Sequence, residues 1–288
     1  MLHISDIQER LKRNPEPKEV AGIRNNILNS FNKLEFIEEG HKYYLHHDDG
    51  TIESLKSVSA TCHQFEQEND WDAIAKNYAI KHNMTVEQVK RKWHENNIRA
   101  TNNGTSVHLY GEMMMHFCMG NVDKICDVIK PQYEDGYLIP LGKKQEAIMH
   151  YYEDLMKIDS IYPVIPETQI YTGVNDTLHL KQNYAGTFDM LFTMKVGNEW
   201  KLLIHDYKSN NSLSSSYNRS KGVMMKAPFD DLVDEAQSHY TLQLSCYELG
   251  LRQLGYDVID RRLIHLKDDG TYDKVALPSV VDRLKETL

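Results

Sequence analysis

The stretch from Ala185 to Lys208, AGTFDMLFTMKVGNEWKLLIHDYK, constrains the fold more tightly than any other part of the chain. Two apolar segments rich in β-branched and aromatic residues flank Gly197-Asn198, a pair suited to a tight turn. The pattern predicts an antiparallel hairpin. A strand alternates its faces with period 2, so Asp206 and Lys208 share one face and Tyr207 takes the other. Asp189 precedes Asp206 by 17 residues (206 − 189), yet the turn brings the two side by side.

Two carboxylates gathered at one end of a sheet repel each other unless a positive charge stands between them. A hard divalent cation such as Mg²⁺ or Mn²⁺, held through oxygen ligands, meets that need. A lysine beside such a cation can have a lowered pKa. It could then orient or deprotonate a water, or offset charge developing on a phosphate. Taken alone, a D-x-K triplet is weak evidence, since most such triplets are surface ion pairs on an exposed strand edge.

The rest of the chain reads as a framework for this hairpin. Residues 1–35 are helical and amphipathic, with an interruption at RNPEPKE, and two alternating segments around Asp48-Asp49-Gly50 predict a second hairpin. A helical pattern follows, with Trp71, Ile74, Ala75 and Tyr78 on one face and Val86, Val89 and Trp93 on another, all read as core. The segment NNGTSVHLYGEMMMHFCMG predicts a helix that starts at Gly104 with Thr105 as its cap. His108 and Glu112, spaced i, i+4, project from one face of it, and Met113–Met115 read as packing. Residues 142–158 form a helix; residues 234–254 form another, followed by a strand in YDVIDRRLIHLK, a turn at Asp268-Asp269-Gly270, a short strand and a closing helix. These elements predict an α/β fold, a mixed central β-sheet flanked by helices with an N-terminal helical and hairpin extension. Residues 1–103 would flank a cleft and residues 104–288 would form the core.

At 288 residues, 41% hydrophobic and 26% charged, the chain can bury a sizeable core. The formal charge of −9 and the pI near 5.9 argue against a general nucleic-acid coating protein, though not against a local basic groove. Cys62, Cys118, Cys126 and Cys246 are scattered and read as reduced core thiols rather than a disulfide frame or zinc site. Neither a membrane span nor a signal-peptide layout is evident, which predicts a soluble cytoplasmic protein.

The motifs GTSVHLYGE, AGTFDML, IHDYKSN and YTLQLSCYELGL occur in that order over roughly residues 104–265. Together they resemble the PD-(D/E)XK nuclease superfamily, in particular its RecB-like branch, with a restriction-endonuclease-like core. The resemblance implies that Asp189 and Asp206 bind Mg²⁺ or Mn²⁺, with the main-chain carbonyl of Tyr207 as a further ligand, and that Lys208 serves the attacking water. His108 would approach the metal from its helix, Glu112 would ligate a second ion or position a water, and Gln243 and Tyr247 would brace the site or reach the phosphate backbone. Glu167 stands where many relatives keep a glutamate.

The insert after the D-x-K strand carries Arg219, Lys221 and Lys226 and would suit a flexible flap over a nucleic-acid strand. Its M-x-x-P-F-like segment is similar to inserts in bacteriophage-encoded nucleases, implying a viral source and the host cytoplasm. The resemblance thus implies a deoxyribonuclease acting on double- or single-stranded DNA. Exonuclease action leaving 5′-phosphates is favoured over a sequence- or structure-specific endonuclease, with a homo-oligomer or a recombination partner protein as associates. A non-catalytic nucleic-acid-binding or assembly protein with the same fold is the alternative of another class.

Overall fold

The computed structural model describes residues 1–129, 132–175 and 177–288, and for 126–129 only the backbone, so the Cys126 side chain lies outside the described residues. Helices α1 (Ile4–Arg13) and α2 (Lys18–Ser30) flank the Pro15/Pro17 break. A meander of β1 (Leu34–Ile37), β2 (Lys42–His46) and β3 (Ile52–Ser57) follows; its second turn is the expected one, closed by Gly50 at φ +85°. Then come α3 (Val58–His63), α4 (Trp71–His82), α5 (Val86–Cys118), α6 (Val122–Ile129), and the short pair β4 (Tyr133–Glu134) and β5 (Tyr137–Leu138). Helix α7 (Lys143–Leu155) leads into β6 (Ile161–Tyr171), β7 (Tyr184–Val196) and β8 (Glu199–Lys208). The chain ends with α8 (Ser216–Lys221), α9 (Ala236–Arg252), β9 (Val258–Leu266), β10 (Tyr272–Ala276) and α10 (Val281–Thr287).

Eight of the described strands form one mixed sheet in the order β1-β2-β3-β7-β8-β9-β10, with β6 also paired to β7. Pairings β6–β7 and β7–β8 are antiparallel, whereas β8–β9 and β3–β7 are parallel. Apolar side chains from α2, α3, α9 and α10 bury one face with Phe188, Ile204 and Leu263; those from α1, α5 and α7 bury the other with Phe192, Tyr207 and Ile264. This is the predicted mixed α/β sheet between helices.

The sheet is not continuous along β7. Ala185 pairs with Tyr171 of β6 on one side and with Ser57 of β3 on the other, while Met190 pairs with Pro166 of β6 and His205 of β8. Strands β3 and β8 therefore share one edge of β7, and between their pairings that edge stays open from Gly186 to Asp189. The sheet splits there, and Asp189 and Asp206 stand at the opening.

Three expectations need correction. Helix α5 does not begin at Gly104: it is capped by Thr85, whose hydroxyl accepts from the Gln88 N–H while the Gln88 side chain accepts from the Thr85 N–H, and it runs 33 residues. Thr105 lies inside it and donates to the Thr101 carbonyl at 3.1 Å. Trp71 and Ile74 are not core, being 63% and 39% exposed, because α4 packs on the start of α5 through Ala75, Ala79 and Val89 and, among the described residues, no further layer covers its far side. The insert after β8 is packed down and is not a loose flap. Leu213, Met225 and Phe229 are buried in the core, Phe229 sits edge-on to Phe65, and Arg219 pairs with Glu235 at 2.6 Å.

Gly111 sets how closely α5 approaches the sheet, since a β-carbon there would come within 2.3 Å of the Tyr207 ring. Around Gly104 there is open space. Gly111→Ala is therefore expected to destabilise the fold by about 1–3 kcal/mol through overpacking. Gly104→Ala should stabilise it by up to about 1 kcal/mol, since alanine is the better helix former. Denaturant unfolding of both variants checks the contrast, and equal effects would refute the close approach.

Candidate metal centre

Register places three carboxylates side by side on three neighbouring strands. Pro166 and Thr168 of β6 pair with Met190 and Phe188 of β7, which sets Glu167 level with Asp189. Met190 pairs with His205 of β8, so continuing by one residue sets Asp206 level with Asp189. Adjacent strands lie about 4.8 Å apart. All three acidic groups thus gather at the split. Glu167 leaves the ladder with φ +39°, a left-handed conformation that costs a residue with a β-carbon. Its Oε1 is buried without a hydrogen-bond partner.

Two cations answer these acids, one from each layer. From α5, His108 Nδ1 lies 3.3 Å from Asp189 Oδ2 and 3.8 Å from Glu167 Oε1. From β8, Lys208 Nζ lies 2.5 Å from Asp206 Oδ2 and 4.4 Å over the ring of Tyr240 on α9. Asp189 also accepts the Tyr207 N–H at 2.7 Å, so its carboxylate takes the place of a strand carbonyl where β8 diverges. The Tyr207 ring points to the opposite layer and donates to Tyr152 Oη at 3.0 Å, as period 2 requires. His205 shares that side, meeting Tyr151 Oη at 2.6 Å and Asp260 at 3.1 Å.

The pKa shifts report the crowding. Burial, with the Asp189 charge, pushes the Asp206 carboxyl up to about 6 against the pull of Lys208. Glu167, raised by burial and then by Asp189 against the pull of His108, is pushed up to about 7. Burial would raise Asp189 as well, but His108, Lys208 and the Tyr207 N–H override it and hold the carboxyl below its usual range. Burial opposes protonation of His108, yet Asp189 and Glu167 outweigh it and carry the ring up to about 10. Lys208 likewise overcomes burial through Asp206 and Asp189 and is raised.

The other expected residues divide. Gln243 and Tyr247 do share one face of α9, with Gln243 Nε2 donating to Tyr247 Oη at 3.0 Å. They line a cavity of about 380 Å³ together with Glu167, Phe36, His41 and Tyr43. A second cavity of about 330 Å³, with Lys208, Tyr240, His63 and His239 in its wall, shares Ser59 and Gln243 with the first. Glu112 instead faces His116 at 3.9 Å, where burial lowers the His116 ring to about 4 and so keeps it neutral. Arg219, Lys221 and Lys226 line neither cavity; Arg219 is held by Glu235, and Lys226 stands 3.6 Å from Glu68. Sequence reasoning missed Tyr240, although its i, i+3, i+7 spacing with Gln243 and Tyr247 marks one helical face. It also missed the aromatic wall of Phe36, His41 and Tyr43, which no spacing announces.

Among the described residues, His108, Glu167 and Asp189 form a group whose ligand atoms all lie within 4.8 Å of one another. Two carboxylates with one imidazole suit a divalent cation such as Mn²⁺ or Mg²⁺, and the unpartnered Glu167 oxygen is the donor such an ion would engage. Asp206 stands outside this trio, turned toward Lys208. Comparison with models of known protein families gives no match, and comparison with curated proteins gives none either. No helix among the described residues is long and apolar enough to cross a membrane.

Two measurements follow from the geometry. Mn²⁺ at about 100 times its dissociation constant should stabilise the fold by about 2.7 kcal/mol, and the rise in Tm should vanish in Asp189→Asn. Because the Glu167 pKa is raised on folding, the native state holds its proton more tightly and stability falls as pH rises toward and through about 7. In EDTA, Glu167→Gln should therefore gain on the wild type between about pH 5 and 8. Parallel stability–pH curves for the two proteins would contradict this assignment.

Proposed function

We propose that the protein is a divalent-metal-dependent nuclease that hydrolyses phosphodiester bonds of DNA, acting as an exonuclease and leaving 5′-phosphates. One observation carries this reading: His108, Glu167 and Asp189 converge within ligand distance directly beside a buried Asp206–Lys208 ion pair. The ordered motifs resembling the PD-(D/E)XK superfamily fall on the elements that build this site, which supports the same reading.

In this proposal Asp189, Glu167 and, once deprotonated, His108 would hold Mg²⁺ or Mn²⁺, with Asp206 and the main-chain carbonyl of Tyr207 as further candidate ligands. When bound, such a cation polarises a phosphoryl oxygen and makes a coordinated water more acidic. Lys208 sits between the acids and the Tyr240 ring as an ammonium group. It holds the attacking water or a non-bridging phosphate oxygen by hydrogen bond and offsets the growing negative charge. Gln243 and Tyr247 orient the strand from α9. The chain carries −9 overall, so binding depends on charge focused at this opening and should weaken as salt rises.

The test uses end-labelled linear and closed circular DNA, with RNA of the same sequence, in Mn²⁺, Mg²⁺ or EDTA. Wild-type protein should degrade linear DNA progressively with metal and leave it intact in EDTA. Lys208→Ala should lose at least about a hundredfold in rate while still binding DNA. Discrete fragments from circular DNA would replace the exonuclease with an endonuclease. Binding without cleavage under either metal would leave a nucleic-acid-binding protein.

A further inference from the structure

We propose that the β1–β2 hairpin forms a stacking subsite for one unpaired nucleobase beside the scissile bond, so that the site takes single-stranded nucleic acid or a frayed end. The inference rests on the nuclease reading above and names the form of its substrate. Phe36, His41 and Tyr43 make one wall of the cavity whose other wall carries Glu167, Gln243 and Tyr247. The three rings pack against one another in series, with His41 outermost. Phe36 and His41 stack with centroids 5.6 Å apart and planes 27° from parallel, and Phe36 and Tyr43 lie 4.8 Å apart at 32°. Tyr43 is fixed, being buried with its hydroxyl 3.2 Å from Thr187 Oγ1. His41 is exposed, and its backbone adopts φ +48°, a conformation unfavourable for a residue with a β-carbon. The strained turn lays an exposed imidazole on the Phe36 ring, extending an aromatic surface toward solvent at the mouth of the site.

Charge selects the occupant. Aromatic rings and neutral polar groups make up most of the lining of this cavity, which holds no lysine or arginine, so a flat uncharged ring suits it better than a phosphate. The adjoining cavity, which meets the first at Ser59 and Gln243, offers Lys208 with His63 and His239 against one lining carboxylate, Glu66, and is the better place for the phosphate. A strand laid through both would therefore pass the carboxylates with a base on the shelf and its phosphate beside the lysine. Paired bases already stack on both faces and must first be pulled out of the helix, so a single strand or an open end meets the shelf at lower cost.

The full chain carrying Lys208→Ala, chosen because it is expected to bind without cutting, is titrated in Mn²⁺ by fluorescence anisotropy. The probes are a labelled oligothymidylate, an abasic oligomer of equal length, and a duplex. His41→Gly, which removes the ring while favouring the native φ, and Phe36→Leu are each added to that background. We expect each to weaken binding of the oligothymidylate by about 5- to 100-fold, with abasic binding unchanged, and the background protein to prefer the single strand over the duplex. Equal affinity for intact and abasic oligomers, no change in either variant, or preference for the duplex would overturn the subsite. Base-dependent binding that both variants abolish, in a protein whose Lys208-intact form cuts nothing, would keep the subsite and remove the nuclease reading. Metal-dependent cutting with base-independent binding would do the reverse.

Discussion

The structure turns on the cost of holding three carboxylates at one place in its interior. Glu167, Asp189 and Asp206 come from three adjacent strands, and two of them are almost fully covered, Asp189 at 7% exposure and Asp206 at 1%. Uncompensated, such groups would take up protons or pull the strands apart. The protein answers with one cation from each helical layer's side of the sheet: His108 serves Asp189 and Glu167, and Lys208 serves Asp206. Burial first, and then the Asp189 charge, still raise the Asp206 and Glu167 carboxyls despite these partners. Three carboxylates therefore face two cationic side chains in a nearly dry setting.

The opening in the sheet is what makes the cluster usable. Had β8 continued its ladder along β7, main-chain hydrogen bonds would have filled the edge from Gly186 to Asp189 and the acids would face closed structure. Instead the Tyr207 N–H is satisfied by the Asp189 side chain, so β8 can diverge without leaving a buried donor unpaired. Gly111 works from the other direction. It brings α5 against the Tyr207 ring and so sets how close His108, almost one turn earlier, comes to the acids.

Much of this was legible in the chain, for identifiable reasons. Alternation with period 2 assigned Asp206 and Lys208 to one face and Tyr207 to the other, and Gly197-Asn198 located the turn that aligns Asp189 with Asp206. Glu167 was harder, because its place depends on the pairing of β6 with β7 and on a backbone excursion that no local pattern encodes. Gly104-Thr105 resembles a helix start, but the Thr85/Gln88 box upstream satisfies the first turn and the helix runs through. An amphipathic stripe at Trp71 and Ile74 shows where apolar residues lie; whether another element arrives to cover them is a tertiary matter. Likewise Arg219 looked available until its partner Glu235, from the far end of the insert, came into view. The Phe36–His41–Tyr43 shelf arises from a hairpin folding back on itself and then meeting α9, contacts between residues far apart in sequence.

Helix α5 has a consequence of a mechanical kind. Its 33 residues span about 50 Å at 1.5 Å per residue, with Trp93 of the outer α4–α5 bundle near one end and His108 well along toward the other. Between them, residues 96–106 are mostly exposed and composed largely of asparagine, threonine, serine and glycine, so little besides the helix's own hydrogen bonds fixes their length. The stretch acts as a phased shaft. Adding or deleting one residue there turns the outer bundle by about 100° relative to the imidazole, whereas seven residues, close to two turns, return it almost to the same face. Length variation along this rod is therefore quantised, and the orientation of the outer lobe is written in the number of residues rather than in their identity.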